Sequence, residues 1–108
     1  MPINILRPAL VLGLSLVLTN NASAGADAQA LYTQSLAATC ANCHGTHGKS
    51  VKDPGVPGLA GRPSSYLIEQ MQAFRNGTRE ATIMHQIAKG YTDEQVRQMA
   101  DYFASQKP

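Results

Sequence analysis

The five residues Cys40-Ala41-Asn42-Cys43-His44 hold both cysteines of the 108-residue chain and set a histidine directly after the second. A C-x-x-C pair admits several chemistries, and the flanking residues separate them. A thioredoxin-like redox pair follows a strand in a βαβ unit, and no strand pattern precedes Cys40. A structural zinc site needs four ligands. His44, His47 and His85 make up that number beside the cysteines, but at irregular spacings. A plain disulfide across so short a loop removes little chain entropy and stabilises little. What remains is C-x-x-C-H as the attachment signature of a c-type haem. The spacing has a mechanical reason: two thiols three positions apart can add to the two vinyl groups on one edge of the porphyrin, while the next residue swings its imidazole under the iron.

Upstream, residues 1–24 begin with a single positive residue, Arg7, run through the apolar stretch Ala9 to Leu18 and end in Ala22-Ser23-Ala24, the pattern of a cleaved secretory signal peptide. Ten nearly apolar residues reach only about 15 Å as a helix, half of a bilayer core, so no stable membrane insertion is expected. Cleavage after Ala24 leaves residues 25–108 as one small domain, exported to the periplasm. Leu, Ile, Val and Phe number 12 of those 84 residues, about 14%, below the roughly 20% at which a chain has the material for a core. A covalently held porphyrin supplies the missing apolar mass. The formal charge of the whole chain is +2, and removing Arg7 with the leader leaves eight Lys and Arg against seven Asp and Glu, a net +1. No basic run could track phosphates, so nucleic acid is excluded as a partner.

Helical periodicity accounts for most of the remaining chain. Ala26 to Thr39 lacks Gly and Pro and reads as a first helix. Gly45 to Arg62 carries five glycines with Pro54 and Pro57, which predicts a loop, and a loop that long in a small domain usually has a function. Pro63 suits an early helical position; Leu67, Met71 and Phe74 recur at i, i+4 and i+7; Asn76-Gly77 ends this second helix. Ile83, Met84, Ile87 and Ala88 form a short third segment stopped by Gly90. Thr92 and Gln95 fit a capping box, Tyr91 and Val96 a hydrophobic staple, and Val96, Met99, Ala100 and Phe103 the buried stripe of a last helix.

With His44 on one side of the iron, the opposite ligand decides between electron transfer and gas binding. Met71 and Met99 lie on helix stripes that need them for packing. Met84 lies on the short segment between Gly77 and Gly90, 41 residues past Cys43, far enough for the chain to wrap the ring and return, and it is the expected ligand. His85 is about 100° around a helix from Met84 and is expected to be solvated, as is His47 in its polar loop.

In this order of parts the sequence resembles the class I cytochromes c, an all-α fold of about four helices wrapped around one haem c. More closely, Pro57-Gly58-Leu59-Ala60-Gly61, Tyr66-Leu67, Gln70-Met71, Phe74, Gly77, Arg79, Ala81-Thr82-Ile83-Met84, Ile87-Ala88-Lys89-Gly90-Tyr91 and Ala100-Asp101-Tyr102-Phe103 resemble the cytochrome subunits of flavocytochrome c sulfide dehydrogenases, over nearly all of residues 36–104. The resemblance implies that the Pro57 carbonyl accepts a hydrogen bond from the second nitrogen of His44; Arg62 and Arg79 are candidates for contacts with the haem propionates, the alternative for each being a solvated surface charge. It also implies a function: an electron-transfer protein with no catalytic residues of its own, accepting electrons from the flavoprotein subunit of a sulfide-oxidising complex. The alternative is a free periplasmic carrier between other redox proteins. A gas-binding haem with Met84 unliganded is a third reading. Tyr102 or Phe103 is expected to pack on the first helix where Ala37 and Ala38 are small.

Overall fold

The structure is a computed structural model that describes the backbone of residues 7–108 and the side chains of residues 23–108. The leader expected over residues 1–24 falls almost wholly outside the described side chains. Contacts divide the chain into residues 1–31 and residues 32–108. Helix α1 is Arg7–His44, α2 Ser64–Asn76, α3 Met84–Ile87 and α4 Asp93–Ser105, with single 3-10 turns at Thr46–Gly48 and Ala88–Gly90. Among the described residues there is no strand, and no helix is long and apolar enough to cross a membrane.

The first helix is longer than its apolar pattern predicts. Nothing between Gly25 and Gly45 breaks it, so helical backbone runs on through Cys40 and Cys43 to His44. It stops where Gly45 takes φ 88, a value that side chains disfavour. There a Cβ would come within 2.6 Å of the Ser50 carbonyl oxygen. Pro63 sits one residue before α2 rather than in its first turn, with an extended ψ of 135, and Gly77 closes that helix in the left-handed conformation.

The apolar stripes read from sequence meet in one core within residues 32–108. Ala37 of α1, Leu67 of α2 and Val96, Met99, Ala100 and Phe103 of α4 form a single buried cluster, with Met71, Leu59 and Tyr91 packed against its edge. Phe103 therefore packs with Ala37 as expected, whereas Ala38 is exposed beside Tyr102 in a groove along α1. The core is thin. Ala88 lies apart as a seventh buried apolar residue, three of the seven are alanines, and no large side chain among the described residues falls below 2% exposure.

Helix α4 is the best-specified element. The Thr92 hydroxyl accepts from the Gln95 amide at 3.2 Å, and the Gln95 side chain accepts from the Thr92 amide at 3.0 Å, which satisfies two helix-end donors reciprocally. Asp93 and Glu94 add negative charge in the first turn. Thr92→Ala is expected to lower the unfolding free energy by about 1 kcal/mol. Denaturant titration of the mature protein checks this, and an unchanged midpoint contradicts it.

Candidate functional site

The last turn of α1 builds the site. Cys40 and Cys43, three residues apart, lie on neighbouring positions of one helix face, and His44, four residues after Cys40, closes the turn. Both cysteines are free thiols, Cys43 exposed and Cys40 partly buried. The Cys40 thiol donates to the Met99 sulfur at 3.9 Å. Burial pushes this thiol up from the ordinary cysteine value; the Thr39 hydroxyl pulls the other way and Cys43 adds a smaller upward push. Thr39 is itself anchored, donating to the Leu36 carbonyl at 2.7 Å and lying 2.6 Å from the Tyr91 hydroxyl.

His44 is buried, at 9% exposure, and its Nδ1 lies 2.7 Å from the Pro57 carbonyl oxygen. A carbonyl only accepts, so Nδ1 carries the proton and Nε2 is the nitrogen left for a metal. The contact between His44 and Pro57 that the family resemblance implied is therefore present in the geometry. The loop between them is folded by backbone bonds: the Ser50 amide donates to the His44 carbonyl at 2.9 Å, and the Leu59 and Ala60 amides both donate to the Gly48 carbonyl, at 2.7 and 2.9 Å.

Met84 is the first residue of α3 and is half-buried. Met71 and Met99 both belong to the core or its edge, and Met84 does not. Its thioether is thus the one, among the described methionines, that core packing leaves uncommitted. The structure differs from the sequence reading at His85. This side chain is half-buried, and its Nδ1 is cut off from solvent with no hydrogen-bond partner. It lines an open cleft of about 630 Å³ with Gly77, Arg79, Glu80, Ala81 and Thr82. Periodicity cannot report this, because the cleft is shaped by the turn from Gly77 to Ile83 and not by a helix face. His47 is exposed as expected, with Nδ1 2.7 Å from the Tyr102 hydroxyl.

The two arginines are exposed. Arg62 lies 5.9 Å from the centre of the Tyr66 ring and donates to the Gly58 carbonyl at 3.4 Å. Arg79 stacks at 4.6 Å over Phe74, donates to the Gln70 side chain and borders the cleft beside His85. Neither is ion-paired among the described residues, whose two salt bridges are Arg75–Asp93 and Arg97–Glu94. No group of three or more His, Cys, Asp or Glu among the described residues could hold a bare metal ion. The donor set suits a porphyrin iron instead: two unpaired thiols on one turn, an imidazole with one nitrogen already engaged, and a thin core.

Comparison with known proteins agrees. The chain is 39% identical over 50 residues to the cytochrome subunit of sulfide dehydrogenase from Chlorobaculum tepidum, an alignment covering 46% of each chain. It is 40% identical over 94 residues to cytochrome c4 of Pseudomonas aeruginosa, covering 87% of this chain and 45% of the relative. It thus spans under half the length of either. Among solved structures, thiosulfate dehydrogenase from Marichromatium purpuratum superimposes with a TM-score of 0.60 at 35% identity, covering 63% of this chain and 15% of that one. The model of the cytochrome c family matches residues 25–107. A helical fold, a C-x-x-C-H turn with its histidine held from behind, and a match over nearly the whole domain make this chain a member of the cytochrome c family, an electron carrier built on covalently bound haem c.

Proposed function

We propose that residues 25–108 are an exported monohaem cytochrome in which Cys40 and Cys43 hold the haem, His44 and Met84 ligate its iron, and the electron donor is a sulfide-oxidising flavoprotein. The observation that carries the ligand set is the 2.7 Å contact of His44 Nδ1 with the Pro57 carbonyl, on the same turn as two free thiols. When bound, haem c supplies a one-electron couple between ferric and ferrous iron. The Pro57 carbonyl fixes the His44 tautomer, orients the ring and raises the basicity of Nε2. Met84, outside the core, offers a soft thioether that favours the ferrous state and raises the potential. Two protein ligands leave no position for a substrate, so bond-making chemistry belongs to the partner. Arg62 and Arg79 offer unpaired positive charge to the propionates.

The flavoprotein partner is supported by the similarity to the Chlorobaculum tepidum subunit and by the residues around Met84 that carry the resemblance. A net charge of +1 on residues 25–108 gives little long-range steering, which suits a packed contact better than a diffusive encounter. Size-exclusion chromatography of the native protein is expected to show a complex with a flavin-containing chain several times its mass. Added sulfide should change the visible spectrum only while that chain is present. A native protein that runs as a monomer at every salt concentration, with no flavin in any associated fraction, would instead be a free carrier.

A further inference from the structure

We propose that Gly48 is a positioning residue for the iron centre: by accepting the amides of Leu59 and Ala60 it sets where the Pro57 carbonyl meets His44, and so the donor strength of the His44 ring. The proposal rests on His44 being an iron ligand. The connection can be followed atom by atom. The Gly48 amide donates to the Gly45 carbonyl at 2.8 Å, which ties it to the end of the helix that carries His44. Its carbonyl takes two donors, Leu59 N at 2.7 Å and Ala60 N at 2.9 Å, two and three residues beyond Pro57. The two residues after Gly58 are thus tied to one backbone oxygen, and the next, Gly61, donates to the Phe103 carbonyl of α4 at 2.9 Å. Gly58 lies over the same loop, and a Cβ there would be 3.3 Å from Ser50 Cβ and 3.5 Å from the Gly48 oxygen.

Helix α4 holds this oxygen in place from the other side. Gly48 is buried with φ 73, and a Cβ on it would lie 2.7 Å from Phe103 Cδ1, 3.0 Å from Phe103 Cε1 and 2.9 Å from Leu59 Cβ. Two independent demands thus converge on glycine, a left-handed backbone and the absence of a side chain between a ring and a Cβ. A residue needed only for the turn would meet the first demand without the second. Any side chain at 48 must push Leu59 or Phe103 away, and moving Leu59 moves the carbonyl two residues before it. A hydrogen bond donated by the Nδ1–H gives the imidazole partial anionic character, which stabilises ferric iron, and loosening it makes the ring a poorer donor to the iron.

Gly48→Ala is expected to raise the reduction potential of the holo-protein while keeping the long-wavelength thioether band. Exchange of the His44 ring N–H with solvent, followed by NMR in the ferrous state, should accelerate by about tenfold or more as the bond opens. Thr92→Ala, which weakens α4 at its far end, is the control; it should lower stability and leave both readouts at wild-type values. Should Gly48→Ala yield no holo-protein, Phe103→Leu decides, since it removes the buttressing ring edge and keeps the glycine; the same two changes are expected, smaller in size. A wild-type potential and a protected His44 N–H in whichever variant matures would overturn the proposal, as would an equal shift in Thr92→Ala. If the ferrous wild type shows no porphyrin ring-current shift on the His44 ring protons, the ligand assignment itself falls, and this proposal with it. Normal ring shifts with an unmoved potential sink this proposal alone.

Discussion

Alanine at Cys43, or at Cys40, is expected to remove nearly all folded holo-protein from a host that matures c-type cytochromes. The buried apolar set within residues 32–108 is Ala37, Leu67, Ala88, Val96, Met99, Ala100 and Phe103, with a single aromatic ring among them. A domain this small hides only roughly 60% of the surface that its unfolded chain exposes, and its stability is marginal even with a full core. Tethering the porphyrin adds apolar area that these side chains do not provide, so losing one tether costs stability as well as chemistry. Cys40 carries a second load, since its sulfur also sits against Met99 in the core. Mass spectrometry of the exported wild type should show the chain from Gly25 plus one haem that survives acid-acetone extraction. A haem-free wild-type chain closed by a Cys40–Cys43 disulfide, from a strain competent in maturation, contradicts this account.

The second large effect is spectroscopic. Thioether ligation of ferric haem gives a weak long-wavelength absorption band, and Met84→Ala is expected to abolish it and to lower the reduction potential. Met71→Ala and Met99→Ala are expected to keep the band where they fold, because both side chains are engaged with the core. His85→Ala should keep it too. That variant is informative because His85 adjoins Met84 and has a buried, unpartnered Nδ1, so it is the nearest competitor for the iron. A band that survives in Met84→Ala, or that is missing from the wild type, refutes the assignment and reopens the gas-binding reading.

How far the sequence could be read depended on whether a feature is local. The capping box at Thr92 and Gln95 involves residues three apart, and it forms as read. The stripe of Val96, Met99, Ala100 and Phe103 repeats at helical spacing, and all four residues are buried. The end of α2 at Gly77 needs only a residue that tolerates positive φ. The apolar pattern of α1 ends before Cys40, yet the helix continues to His44, since nothing from Cys40 to His44 stops it. His85 departs from its expected solvation for the converse reason. Its angular position relative to Met84 follows from a four-residue helix, whereas its burial depends on the chain between Gly77 and Ile83, which has no period.

By itself the sequence determined the chemistry and the class: two thiols and an imidazole at fixed spacing select a covalent haem, and too few large apolar residues call for one. It also determined where α2 stops and where α4 starts, because caps and glycines act on backbone groups within a few residues. Only the tertiary structure decided how His44 is held. The Pro57 carbonyl reaches His44 because residues 45–61 fold over the helix end, and that path depends on the Gly48 carbonyl taking two amides while Phe103, 55 positions further on, closes the space above it. Contacts between residues so far apart leave no periodic trace in a sequence. A glycine that exists to admit a distant ring looks, in the one-dimensional record, like any other glycine in a loop.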